Sequence, residues 1–219
     1  MDIKIRIEVV SPIHLGSGRE DVNIDAEIVH DACGLPYFPA KRFKGLLYES
    51  ALEVSEMSGL SRCGLLPEKT LKELFHHDDT KSDAQLVISD FYMETKEDYK
   101  KISGELEALE KSYPEFLKPS DVLDTYTSVR YQTELKNGVV KKGSLHNMRV
   151  ADAGVVFCGT IRLLHGTEQH LRALAFALRN LKVAGLKRSR GFGRIACSMR
   201  LEDGRTENDL IAATLKEAV

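Results

Sequence analysis

The chain has 219 residues, 42% of them hydrophobic, which is enough to bury a sizeable core as a single domain over 1–219. Its 31 Lys and Arg stand against 33 Asp and Glu, so a generic histone-like binder is excluded and any nucleic-acid site must be a local concentration of charge. No apolar run approaches a membrane span, Met1-Asp-Ile-Lys-Ile5 lacks the apolar block of a signal peptide, and Cys33, Cys63, Cys158 and Cys197 form no Cys-x-x-Cys pair; a cytoplasmic protein with free thiols and no membrane contact is expected.

Ile3, Ile5, Ile7 and Val9 alternate with polar residues, the period of a half-buried strand. The segment Asn23 to His30 is expected to add a strand, with Asn23, Asp25 and Glu27 on one face and Ile24, Ala26 and Ile28 on the other. After Pro39, the positions Phe43, Leu46, Leu47 and Val54 fall at helical spacing and predict an amphipathic helix from near Lys41. Leu86 to Met93 reads as a strand. Val155, Phe157, Ile161 and Leu163 alternate as another, with Gly159 at a bulge. Leu171, Leu174, Ala175, Leu178 and Leu181 make a second helical stripe closed by Gly185 as its cap, and Ile195, Cys197, Met199 and Leu201 make the last strand. The order β-α-β-β-α-β predicts an α+β, ferredoxin-like core of the kind RNA-recognition modules use. Two insertions interrupt it, at about 11–38 and 94–152; the second carries a helical stripe at Ile102, Leu106 and Leu109 and a hairpin turn at Asn137-Gly138.

The densest chemistry lies in Gly185-Leu-Lys-Arg-Ser-Arg-Gly-Phe-Gly-Arg194. Its glycines permit positive φ and outward N–H groups, Lys187, Arg188, Arg190 and Arg194 supply charge, and Phe192 either offers a ring to a base or anchors the loop. Such clustering in a nearly neutral chain predicts a polyanion contact. Gly-Phe-Gly-Arg-Ile-Ala also matches a dinucleotide fingerprint, but that needs a strand before it and a helix after it, the reverse of the order here.

Ser11-Pro-Ile-His-Leu-Gly-Ser-Gly18, Gly34-Leu-Pro-Tyr-Phe-Pro-Ala-Lys-Arg-Phe-Lys-Gly45 and the basic loop together resemble the RAMP superfamily of CRISPR effector proteins, over nearly the whole chain. With one core and a long insertion, the chain resembles the backbone subunit of type III (Csm-like or Cmr-like) complexes. The resemblance implies a subunit that polymerises along a guide RNA with other effector subunits and cuts the paired target RNA. It places the cutting carboxylate on Asp25, within Ile24-Asp-Ala-Glu-Ile-Val-His-Asp31, with Asp21, Glu27 and Asp31 as neighbouring alternatives. It also implies a divalent cation, Mg²⁺ or similar, which such a carboxylate can ligate, or else a carboxylate that orients the neighbouring 2′-hydroxyl. Guide contacts are implied for Lys41, Arg42 and Lys44 and for Lys187, Arg188, Ser189, Arg190, Gly191, Phe192, Gly193 and Arg194. Where the family reads Pro-Gly-Ser-Ser-Leu-Lys-Gly, this chain has Pro39-Ala-Lys-Arg-Phe-Lys-Gly45, which keeps Lys44 and adds two cations. Arg130 and Lys136 to Gly143 lie where the family places a projecting element against the guide–target duplex.

His14, beside a strand end, is expected to be structural. His76, His77, Asp78 and Asp79 with the distant Cys63 do not make a tetrahedral set, so zinc is not expected. Three other functions compete with target cutting: a purely structural guide-binding subunit, a metal-independent guide-processing ribonuclease using His14 or His30, and a metabolite-binding regulator, which leaves the basic clustering unexplained.

Overall fold

The computed structural model describes residues 1–20, 23–61, 65–75, 82–93 and 96–217. Ile3, Ile5, Ile7 and Val9 are all buried, while Lys4 and Arg6 between them are exposed, so β1 (Asp2–Val9) turns one face to the core and the other to solvent. Three partners complete an antiparallel sheet with it: β2 (Gln85–Ile88), β7 (Val156–Leu164) and β8 (Ile195–Leu201), in the order β2-β7-β1-β8. This is the strand order of a ferredoxin-like split βαβ unit, as the element order predicts.

The apolar stripes close over the inner face. Phe43, Leu47 and Ala51 of α1 (Ala40–Leu60) share one core with Leu171, Leu174, Ala175 and Leu178 of α5 (Glu168–Asn180). A polar lock adds register between the two helices: Ser50 donates to the Ala177 carbonyl at 2.8 Å, and Asn180 donates to Ser50 Oγ at 3.1 Å. The short α2 (Glu68–Phe75) packs beside them, and α6 (Glu207–Glu217) covers the end of β8, where buried Glu207 accepts the Met199 N–H at 2.9 Å.

The long insertion forms a second unit against the sheet end. It contains α3 (Lys96–Ser112), α4 (Pro119–Tyr126), and a two-stranded pairing of β3 (Thr127–Gln132) with β6 (His146–Ala151). Between them β4 (Leu135–Lys136) and β5 (Val139–Val140) make the predicted hairpin, with φ of 53° at Asn137 and 79° at Gly138 as a type I′ turn requires. The stripe Ile102, Leu106 and Leu109 does lie on α3, but none of the three is fully buried.

Four sequence expectations are corrected. The strand predicted for Leu86 to Met93 is interrupted: its regular part stops at Ile88, Asp90 turns aside to accept the Ala40 N–H at 2.7 Å and so caps α1, and pairing with β7 returns only as a single bridge from Tyr92 to Cys158. Gly159 is not a bulge: the β1–β7 register runs through it unbroken, and the space of its missing Cβ is filled by the Phe91 ring, whose nearest atom lies 2.4 Å from that point. Gly185 does not cap α5, which ends at Asn180 with Leu181 in the cap position; its φ of 78° serves the loop beyond, where a Cβ would lie 2.6 Å from the His14 carbonyl oxygen. Asn23 to His30 makes no regular strand but a series of isolated bridges, among them Ala26 to Met148, Ile28 to Gly16 and His30 to Pro36.

Candidate nucleic-acid interface

Residues 185–194 fold as a strained, tightly tethered loop. Lys187 and Gly191 take left-handed conformations on either side of a single 3₁₀ turn, Arg188–Arg190, and Gly193 is also left-handed at φ 75°. A Cβ at Gly193 would stand 1.8 Å from the Ala184 carbonyl oxygen, so glycine is required there. The tethers run to the Ser11–Gly18 segment: Leu186 N–H to the His14 carbonyl, Gly193 N–H to the Pro12 carbonyl, and Arg194 N–H to Ser11 Oγ, which itself donates to the Gly191 carbonyl. Those N–H groups, with that of Arg190 on the Lys187 carbonyl, therefore face inward rather than out. Arg188, Ser189, Arg190 and Arg194 are exposed, Lys187 and Phe192 are half-buried, and the Arg188 guanidinium lies 3.9 Å from Glu49 on α1.

Lys187 and Arg190 converge on one atom, Gln132 Oε1 at the end of β3. Gln132 is the register partner of His146, the first residue of β6. His146 Nδ1 in turn lies 3.7 Å from Asp25 Oδ2, and both side chains are open to solvent, at 70% and 57% exposure. Asn147 fixes the carboxylate: its N–H donates to Asp25 Oδ2 at 2.9 Å, its Oδ1 accepts the Asp25 N–H at 2.8 Å, and its amide donates to the Asn23 carbonyl. The basic loop and the family-matched carboxylate thus occupy one continuous surface, joined through Gln132 and His146. Arg130, exposed on β3, flanks it.

Two residues beyond Asp25 and Asn147, the chain buries a charge cluster. Arg149 is 8% exposed; its Nε donates to Glu27 Oε2 at 3.1 Å and its Nη1 to Thr127 Oγ1 at 2.9 Å and to Asp124. Burial alone would favour the neutral guanidine, but the hydrogen bonds it donates to Asp124 and Glu27 outweigh it and hold the group above its ordinary value. Glu27 is only 9% exposed and also accepts the Ile28 N–H, so the expected shared face of Asn23, Asp25 and Glu27 fails: Glu27 points inward to meet Arg149 and is unavailable to RNA.

The remaining alternatives separate on geometry. Asp31 accepts the N–H groups of Cys33 and Leu35 and the Tyr99 hydroxyl at 2.6 Å, which makes it the organiser of the Gly34-Leu-Pro turn. His14 is 2% exposed, donates from Nδ1 to the Arg149 carbonyl at 2.7 Å, and packs its Nε2 against Gly16. It is structural, as expected. His30 is exposed and lines, with Arg19 and Tyr37, a cleft that Asp25 does not line. Asp21, Cys63 and the His76 to Asp79 cluster lie outside the described residues.

At the start of α1, Lys41 and Arg42 are exposed and Lys44 is half-buried. The helix N-terminus is less free than its sequence implies, since Asp90 takes the Ala40 N–H, and Arg42 donates to the Gly16 carbonyl. The Arg42 contact ties α1 to the same Ser11–Gly18 segment that holds the basic loop.

The sequence profile of the RAMP superfamily matches residues 6–196. The chain belongs to the RAMP superfamily. No curated protein sequence matches it significantly. Among solved structures, a chain of the type III-B Cmr-beta complex bound to cognate target RNA superposes with a TM-score of 0.65 at 14% identity, over 96% of this chain and 99% of that one. A chain of the same kind of complex in its apo state gives 0.63 at 13% identity, again over 96% and 99%. At such identities the likeness establishes a shared fold, and it spans the insertion as well as the core.

In this RAMP chain the residues that sequence reasoning missed are Gln132, His146, Asn147 and Arg149. Met148 and Val150 carry a period-2 signal that marks β6, yet nothing in the sequence pairs it with β3 or brings it to Asp25.

Proposed function

We propose that this protein is an RNA-binding backbone subunit of a type III CRISPR complex, which holds guide RNA and cuts the paired target RNA beside Asp25. One observation carries the reading: the loop cations Lys187 and Arg190, through Gln132 and His146, lead directly to the Asn147-held carboxylate of Asp25. A cradle for the guide's phosphate backbone and a carboxylate for chemistry on the paired target stand side by side. Membership in the RAMP superfamily, and a fold shared with chains of Cmr-beta complexes, one of them bound to target RNA, support it.

In this reading the guide backbone lies on Lys187, Arg188, Ser189, Arg190 and the Gly191-Phe-Gly-Arg194 end of the loop, and reaches Lys41, Arg42 and Lys44 at the start of α1. Arg130 and the β4–β5 hairpin meet the guide–target duplex. Base pairing selects the target. Asp25 orients the 2′-hydroxyl beside the scissile phosphate for in-line attack, which makes DNA a non-substrate. The chain's partners are then the guide, the target, copies of itself and other effector subunits.

Among the described residues no group of three or more His, Cys, Asp and Glu side chains could hold a metal. A single carboxylate suits an ion such as Mg²⁺ that keeps its waters and takes phosphate oxygens as further ligands; Asp25 would meet it through water, and it would supply charge stabilisation at the phosphate. Asn147 favours a second reading. Its reciprocal hydrogen bonds make Asp25 a fastener between two segments, which suits a subunit that binds guide without cutting.

The test is cleavage of labelled target RNA by the guide-loaded complex, in Mg²⁺ or EDTA, for wild type and Asp25→Ala. Cation-dependent products that disappear in the variant at unchanged target affinity support cutting. A wild-type complex that binds target tightly without cutting it leaves the structural subunit.

A further inference from the structure

We propose that His146 is a catalytic residue of this site, accepting the 2′-hydroxyl proton of the target on Nε2 while Asp25 holds the ring from its Nδ1 side. The inference rests on the cutting reading above and adds to it the group that moves the proton. Nδ1 of His146 faces Asp25 Oδ2 at 3.7 Å, just beyond hydrogen-bond length, and the 70% exposure of the imidazole lets a small rotation close the gap when RNA packs against it. The carboxylate does not follow the ring, because the Asn147 N–H pins the same Oδ2 at 2.9 Å. A fixed acceptor beside Nδ1 keeps the proton on that nitrogen and leaves Nε2 with its lone pair, the arrangement in which a carboxylate orients an imidazole base.

Position makes the assignment specific to a phosphodiester. On the neighbouring strand, Gln132 is paired with His146 and gathers Lys187 and Arg190 at its Oε1. A guide phosphate that displaces Gln132 from those two cations leaves the target strand paired with that guide next to the imidazole. His14 is buried against the Arg149 carbonyl, and His30 opens on a different cleft, so neither competes for this place.

The step balances without an external oxidant or reductant. The 2′-oxygen forms a bond to phosphorus as its proton passes to Nε2, and the bond from phosphorus to the 5′-oxygen breaks. The departing 5′-oxygen takes a proton from water, and the imidazolium returns its own proton to the resulting hydroxide. The products are a 2′,3′-cyclic phosphate and a 5′-hydroxyl.

The experiment uses the guide-loaded complex under single-turnover conditions with labelled complementary RNA, comparing wild type, Asp25→Ala, His146→Gln, and His146→Gly with and without free imidazole. The expected result for His146→Gln is a rate loss of about 10²–10⁴-fold at unchanged target affinity, the usual contribution of a positioned base. Imidazole is expected to restore part of the rate to His146→Gly. A His146→Gln rate within about threefold of wild type, while Asp25→Ala is inactive, overturns this proposal and leaves the parent reading standing. A loss that imidazole does not restore assigns His146 a structural role and overturns it too. A wild type that binds and does not cut overturns both.

Discussion

Replacing Arg149 by Met keeps the length of the side-chain stem and removes the guanidinium from a cluster that joins three parts of the chain. In the native protein that group satisfies Glu27, Asp124 and Thr127, while its backbone receives His14 at the carbonyl and reaches Ala26 through the N–H. Asp124 has a side chain 62% exposed and can rehydrate, so its share of the loss is within about 1 kcal/mol. Glu27 cannot: it would remain buried as an unpaired charge with only the Ile28 N–H for company. Breaking a buried pair from one side costs about 3–5 kcal/mol, which for a chain of this size lowers Tm by roughly 6–20 °C. The assay is denaturant and thermal unfolding of wild type, Arg149→Met, Glu27→Gln and the double variant. The double variant is expected to recover most of the loss, because the stranded charge is gone, with a coupling of at least about 2 kcal/mol. A loss below about 1 kcal/mol in the single variant, or strict additivity, would refute the reasoning. Cleavage is expected to fall with stability in Arg149→Met, since Asp25 sits two residues from the stranded Glu27.

Two glycines of the loop separate strain from collision. Gly191→Ala meets open space and is expected to cost about 1–2 kcal/mol for its left-handed backbone alone, whereas Gly193→Ala drives a Cβ to 1.8 Å from the Ala184 oxygen and should cost more and weaken RNA binding; equal shifts in Tm and affinity would contradict this. Lys187→Ala, Arg190→Ala and Arg194→Ala are each expected to lower the slope of log affinity for single-stranded RNA against log salt by about 0.7, measured by filter binding, and an unchanged slope would remove that residue from the phosphate contact. Burial pushes the Cys197 thiol up to about 12, so at pH 8 it stays protonated in the folded chain and a thiol reagent should label it only after unfolding, as mass spectrometry would read.

The parts of the fold legible in the sequence are those whose apolar period meets a single buried face. Ile3, Ile5, Ile7 and Val9 announce β1, and Leu171 to Leu178 announce α5, because nothing interrupts their alternation or their stripe. Reading fails where a residue serves a distant element. Asp90 ends β2 to cap a helix fifty positions earlier in the chain, and Gly159 is small for the sake of Phe91, not for a bulge. The elements α4 and α6 escape notice because each buries only a thin apolar stripe, Val122 and Leu123 in one and Leu210 in the other. At the candidate site, the basic loop is conspicuous by charge density, and Asp25 by its match to the family block. Glu27 reads as exposed because strict alternation is assumed for a segment whose hydrogen bonds run instead to 15–19 and 147–149. Gln132 and His146 carry no sequence signal for their roles, since those arise only when β3 pairs with β6.

The RNA path is read most directly from the structure of the assembled complex with guide RNA and a target carrying 2′-deoxy at the nucleotide to be cut. Guide phosphates are expected on Lys187, Arg190 and Arg194, and the scissile phosphate of the target beside Asp25 and His146. An RNA path that leaves the loop unoccupied, or that places every target phosphate out of side-chain reach of Asp25, would contradict that placement.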